Sequence, residues 1–286
     1  MSVSSEMKCQ CRIAVVAHVF YGHLWPELAR CIRNFDKASS RVFVTVTDDK
    51  LKDIVLHDFP DATIEVVSNQ GYDILPFWRV LSKISLADFD LVAKLHTKRD
   101  CDDWVNCWPI FGGAWRRRLL SFCVTSENLR RALEKFQCPR VGMVAHGSLI
   151  VGKPDRYWES KKCFDVARKE VARMGLGFPS KPEFVAGTMF LVRSSLLRPV
   201  VSAMSPGLFE MNMDHATGTA AHSYERLFGY VVKAQGYEIA DFSGVQCLYR
   251  TTEFVRIPLF RLMRLIKRFV LRVARSQVNG TTRIVI

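Results

Sequence analysis

The sequence of 286 residues holds no run of about 18 apolar residues, the length a helix needs to cross a bilayer. Its first stretch, MSVSSEMKCQC, has no apolar core of the kind a secretory signal carries. Nine cysteines occur, yet none forms a CxxC pair. The close sets, Cys9 with Cys11 and Cys101 with Cys107, have no histidines at zinc-ligand spacing. These absences exclude a helical membrane span and a zinc finger, and the expected compartment is reduced and cytoplasmic. No internal repeat, low-complexity tract or long linker interrupts the chain. Acidic residues are scarce beside basic ones, 28 against 41, for a net charge of +13. That surplus favours an anionic partner: a phosphorylated substrate, an anionic membrane or nucleic acid.

What is present is an ordinary globular composition, 49% hydrophobic and 24% charged, enough to bury a sizeable core. Residues 12–20, 41–47, 62–69 and 89–95 read as buried strands, being short, continuous and rich in β-branched residues. Residues 24–34, 50–58 and 74–84 read as helices between them, with Pro26 tolerable in a first turn. This alternation predicts an α/β fold, a mainly parallel sheet with helices on both faces. Further along, helices are expected near 113–122, 126–136, 159–174 and 222–236, the last closed by Gly236. Strands are expected at 141–146, 181–193 and 237–242, with a loop of little periodicity over 204–219.

Ligands of parallel α/β folds sit at the carboxyl ends of the strands. Four such ends here are polar. Strand one ends at His18, strand two at Asp48 and Asp49, strand three in SNQGYDILPF, and strand four in AKLHTKRD. Each has a plain reading and a chemical one. In the third, Gly71 suits a positive φ and Asp73 suits a helix cap. The same turn suits a phosphate, with Asn69 or Asp73 on a ribose or base. In the fourth, Lys94, Lys98 and Arg99 are either solvated cations or a cluster that stabilises the charge growing on a leaving diphosphate. Thr97 can bond a phosphate oxygen, and His96 can donate or shuttle a proton near neutral pH. Capping does not explain four polar ends on one rim. Gly187, inside an apolar strand, marks a bulge or a ligand's close approach. Glu225 beside Arg226 is a surface pair or, if its helix faces the rim, a general base, with Asp214 the second choice.

The tail differs from the rest. RIPLFRLMRLIKRFVLRVAR, residues 256–275, carries seven cations and no acid. Arginines at 261, 264, 268, 272 and 275 recur at helical spacing among Leu, Met, Ile, Phe and Val. This predicts a basic amphipathic helix for an anionic membrane surface. A partner-binding helix is the next choice. Nucleic acid is not an expected partner, because phosphates would waste the apolar face.

Five motifs in order, HVFYGHLWPEL, VSNQGYDILPF, AKLHTKRD, EFVAGTMFLVR and AHSYERLFGY, resemble the rhamnan synthesis protein F family over about residues 12–245. The resemblance implies a GT-A-like glycosyltransferase: one Rossmann-type α/β domain over residues 1–250, mainly parallel, then the amphipathic tail, 251–286. It implies a nucleotide-sugar donor, dTDP-rhamnose or GDP-rhamnose, a lipid-linked glycan acceptor, and work at the cytoplasmic face of the cell membrane. An inverting rhamnosyl transfer would use Glu225 or Asp214 as base, with His96, Lys98 and Arg116 on the leaving diphosphate. Where GT-A enzymes carry an Asp-x-Asp metal motif, this sequence has Leu95-His96-Thr97-Lys98. The expected site is therefore metal-free, Lys98 with Lys94 or Arg99 replacing the cation. The alternative is Mg2+ or Mn2+ on the run Asp100, Asp102, Asp103. Loss of the motif also admits a non-catalytic scaffold of polysaccharide assembly, which substitution of Glu225, Asp214 or Lys98 would leave working.

Overall fold

The computed structural model describes residues 11–100, 103–105, 108–152, 161–204, 209, 220–251, 258–259, 262–263 and 265–266. The chain opens with β1 (Ile13–Val19), seven buried residues in a row. Such a run has no polar face to give to water, so it belongs inside a sheet covered on both sides. After a short turn comes α1 (Trp25–Ile32), with Pro26 in its first turn, where no backbone bond is lost. Then follow β2 (Ser40–Val46), α2 (Asp49–Asp58), β3 (Thr63–Val66), α3 (Ile74–Leu81) and β4 (Leu91–His96). A hairpin of β5 (Asp103–Val105) and β6 (Trp108–Ile110) leads to α4 (Ala114–Leu120) and α5 (Ser126–Glu134). Next come β7 (Val141–Ala145), β8 (Ile150–Gly152), α6 (Lys161–Arg173), β9 (Glu183–Val185) and β10 (Phe190–Arg193). The remaining elements are α7 (Arg198–Ala203), α8 (Ala220–Ala234), β11 (Glu238–Asp241) and α9 (Gln246–Thr251).

Seven strands form one sheet in the order β11-β7-β10-β4-β1-β2-β3. Every pairing is parallel except the two made by β10. This is a mixed α/β fold of Rossmann-like construction, as the alternation of elements predicts. The reversed strand matters for the site. Its amino end, preceded by Gly187 and Thr188, lies at the edge where the parallel strands finish. Beneath that edge, Phe77 of α3, Phe190 of β10 and Phe228 of α8 form an edge-on aromatic cluster, with centroids 5.5–6.4 Å apart. The cluster ties two helices to the middle of the sheet.

The stretch 181–193, expected as one strand, is two. β9 pairs with β8 in a separate ribbon, and β10 enters the main sheet. The break falls at Gly187 and Thr188, whose φ values of 79° and 53° no strand allows. Position 187 also requires glycine, since a Cβ there would sit 2.6 Å from Leu119. β3 stops at Val66, opposite Val46, where its one neighbour β2 ends. The short elements β8, α7 and α9 were not visible in the periodicity. Asp214, most of the loop 204–219 and most of the tail lie outside the described residues. Within the tail, the described positions 258, 259, 262, 263, 265 and 266 are helical.

Candidate active site at the carboxyl edge of the sheet

The ladder sets His18 of β1 beside Thr45 of β2 and His96 of β4. Both histidines are buried, at 4% and 3% exposure. Above them opens a cleft of about 540 Å³, lined by Tyr21, Asn69, Asp73, Thr97, Lys98 and Arg99 among others. That volume suits a nucleotide-sized ligand.

The histidines carry unanswered nitrogens. His18 Nδ1 lies 2.9 Å from Thr45 Oγ1, whose own hydroxyl donates to the Ala17 carbonyl at 3.4 Å. The ring therefore donates from Nδ1 and leaves Nε2 as a bare acceptor, buried without a partner. His96 Nδ1 is also buried and unpartnered, 3.6 Å from Asp73 Oδ2. Buried polar atoms are nearly always bonded, so these two nitrogens beneath the cleft call for a partner, an ordered water or a ligand group. Burial pushes His18 down to about 4, with Asp73 opposing and Lys94 assisting. It pushes His96 down to about 3, again with Asp73 opposing and Lys94 and Lys98 assisting. Both rings are neutral near pH 7 in the free protein. His96 thus offers a hydrogen bond there, rather than the readily shuttled proton that its type alone suggests.

Asp73 stands at the N-cap of α3 but makes no capping bond. Its carboxylate turns inward instead. Oδ2 accepts from Lys94 Nζ and from Thr188 Oγ1, the latter at 2.5 Å, and Lys94 Nζ also reaches Thr188 Oγ1 at 2.9 Å. Burial opposes the charge on Asp73, but His96, Lys94 and the two hydrogen bonds outweigh it and hold the carboxyl well below its usual range. With His96 neutral, the Lys94 ammonium is the partner that counts. Burial in turn lowers Lys94, with Asp73 resisting. Lys94 is only 1% exposed. It stands behind Asp73 as a structural counter-charge, not against a leaving diphosphate as the sequence suggests.

Lys98 is the cation that does face the cleft. It lines both the cleft and a second cavity of about 230 Å³. Among the described residues it has no carboxylate partner. Its backbone is held from behind, where Arg116 donates to the Lys98 carbonyl at 3.2 Å. Arg116 also binds Glu27 at 2.5 Å and Asp100. The expected diphosphate contact of Arg116 is therefore replaced by a clamp on the loop after β4. Thr97 accepts from the backbone N–H of Phe20 and of Tyr21, both at 3.0 Å, which fixes the loop after β1 and leaves its own proton to donate. Arg99 lines the cleft and is exposed.

Glu225 lies on α8 in the wall of the second cavity, with Tyr72, Asp73, Lys98, Thr188 and His222. Its Oε1 accepts from the Gly187 backbone N–H at 2.7 Å. The two cavities share Tyr72, Asp73 and Lys98. Two expected contacts lie elsewhere. Asp48 is exposed and caps α2 through Leu51 N at 2.9 Å, and Gly71 serves its turn with φ at 68°. Sequence reasoning missed Thr188 and Tyr72. Both have φ of 53°, uncommon outside glycine and worth about 1–3 kcal/mol of strain, a feature that gathers at functional sites.

Asp73 and Asp100 are committed to Lys94 and Arg116. Among the described residues no group of three His, Cys, Asp or Glu could hold an ion. The side chains of Asp102 and Asp103 lie outside the described residues.

Fold and site together define an α/β protein of Rossmann-like construction, with a polar cleft across the carboxyl ends of its parallel strands. The chain belongs to the rhamnan synthesis protein F family, whose model matches residues 1–237. It is similar to the uncharacterized protein WxcX of two strains of Xanthomonas campestris pv. campestris. Each is 26% identical over 245 residues, covering 83% of this chain and 33% of the relative. The chain thus spans about a third of the length of the curated relatives it matches. The family is named for rhamnan synthesis. No helix among the described residues is long and apolar enough to cross a membrane.

Proposed function

We propose that the protein is a GT-A-like glycosyltransferase of bacterial cell-surface polysaccharide or O-antigen synthesis. It moves a deoxyhexose, rhamnose by its family, from a nucleotide diphosphate to a glycan acceptor. The observation that carries this reading is Lys98: a cation without a partner carboxylate among the described residues, set between two joined cavities and beside two orphaned histidine nitrogens. The nucleotide occupies the cleft and the acceptor enters the second cavity. Glu225 takes the proton from the acceptor hydroxyl, whose oxygen attacks the anomeric carbon. The bond from that carbon to the diphosphate oxygen breaks, its electrons staying on the diphosphate, and the sugar inverts. Lys98, Arg99, the Thr97 hydroxyl and a His96 N–H meet the departing charge. Because Asp73 and Asp100 are already committed to cations, lysine takes the place of a metal.

Titration of wild type and Lys98→Ala with dTDP and GDP tests the cleft. The variant is expected to bind about 10- to 100-fold more weakly, the worth of a charge-assisted bond to phosphate. Equal affinity of the two proteins would reject the role of Lys98.

The acceptor is proposed to be lipid-linked, with the tail holding the site at the cytoplasmic leaflet. Seven cations within 256–275 and exposed Leu259, Leu262, Met263, Leu265 and Ile266 support this. Deleting 256–286 is expected to release the protein from anionic vesicles while nucleotide binding persists. Unchanged vesicle binding would exclude the tail as the anchor.

A further inference from the structure

We propose that Asp73 grips the transferred sugar: its Oδ1 accepts hydrogen bonds from the hydroxyls of the donor's sugar and so selects neutral sugars over sugar acids. The inference rests on the donor reading above and adds a specificity-determining residue to it.

Position comes first. Group transfer requires the sugar to sit where the nucleotide's cavity meets the acceptor's. Asp73 is one of three residues lining both. Of the other two, Lys98 only donates hydrogen bonds and Tyr72 offers a neutral phenol, so the charged acceptor at this junction is the carboxylate.

The two oxygens of Asp73 are used unequally. Oδ2 is taken by Lys94 and Thr188. Oδ1 makes no hydrogen bond among the described residues, and the side chain keeps 20% of its surface open. An aspartate meant only to neutralise Lys94 would gain from two engaged oxygens. An aspartate meant to cap α3 would bond the backbone N–H groups there, and this one does not. The second oxygen is left for something that enters.

The arrangement is also rigid. Asp73 follows Gly71 and Tyr72, and its partner Thr188 follows Gly187; these four, Gly71, Tyr72, Gly187 and Thr188, are held at positive φ on the two turns that meet at the carboxylate. A preorganised acceptor loses little on binding, which is what a specificity contact needs. The Lys94 charge compensates Asp73, so the pair does not repel the diphosphate beside it. It leaves a group that accepts and does not donate. Sugar hydroxyls satisfy it, whereas a carboxylate on the sugar brings no donor and sets two acceptors face to face.

The test is calorimetric, on the full chain, with dTDP or GDP, whichever the wild type binds, bare and as its rhamnose derivative. Asp73→Asn is expected to weaken the sugar nucleotide by about 10- to 100-fold and the bare nucleotide by under about threefold. Because the single change strands Lys94, the double variant Asp73→Asn/Lys94→Met is measured beside it, and the same change in the affinity ratio is expected. A nucleotide carrying a uronic acid should bind wild type no more tightly than the bare nucleotide. Parallel loss of both ligands, no loss of either, or tight uronic acid binding would overturn the inference while the donor cleft stands. Failure of wild type to bind either nucleotide would instead overturn the donor reading, and this inference with it.

Discussion

Glu225→Gln is expected to lower sugar transfer by about 10²- to 10⁴-fold while leaving nucleotide binding and folding intact. The amide keeps an oxygen for the Gly187 N–H, the one backbone bond that Glu225 accepts at 2.7 Å, so the turn before β10 keeps its anchor. What disappears is the capacity to take a proton, together with the charge that Oε2 sets against Arg226 at 3.5 Å. Glu225 lines the second cavity, proposed for the acceptor, and not the first, proposed for the nucleotide. Its loss should therefore appear in turnover and leave donor affinity within about twofold, since only the proton-transfer step is removed. A single-turnover assay with a labelled donor, run beside a melting curve, separates the two effects. Asp214→Asn is the comparison, and little change is expected from it. Full activity of Glu225→Gln with loss in Asp214→Asn would move the base to the loop before α8.

Lowering the pH from 7 to 5 is expected to destabilise the protein by about 4 kcal/mol through two histidines alone, about 2 kcal/mol from each. The sign follows from burial. His18 and His96 sit at about 4 and about 3 in the folded protein, well below the ordinary histidine value of 6.5. The unfolded chain takes up protons as the pH falls through 6.5, and the folded one does not. Their contribution is complete above that pH and erodes down to the folded values. Asp73 is shifted in the same direction but acts at lower pH, because its contribution is lost only as the pH falls through the ordinary carboxylate range, outside this window. Denaturant unfolding at pH 7 and pH 5 measures the difference. His18→Asn/His96→Asn should reduce it by about 4 kcal/mol whatever the variant's own stability, leaving the part due to His146 and His222, which burial also lowers. An unaltered pH slope in that variant would mean that the rings are not held neutral by the fold.

The strands nearest the site were legible because β1 and β4 are continuous apolar runs that end in polar residues. The alternation along β4 correctly puts Lys94 and His96 on one face. It does not tell what that face meets. The partner of Lys94 is Asp73, on another turn and 21 residues away in sequence, and no local pattern carries that pairing. Asp48 and Asp73 each stand before a helix, and each suits a cap equally well. Only the structure separates them, with Asp48 bonded to Leu51 N and Asp73 turned to Lys94. The break at 187–188 stayed hidden for a similar reason. EFVAGTMFLVR is almost wholly apolar between Glu183 and Arg193, and its one turn signal is a glycine that a bulge explains as well. Threonine at positive φ leaves no trace in sequence, because the residue is chosen against its propensity for its hydroxyl.

The most direct test is calorimetric titration of the full chain with dTDP-rhamnose and GDP-rhamnose, first in chelator and then with magnesium or manganese. The expected result is tight binding of one donor in chelator and the same affinity after metal is added, because Lys98 supplies the charge. Binding that appears only with metal would contradict this and place the diphosphate on the aspartates that follow Arg99.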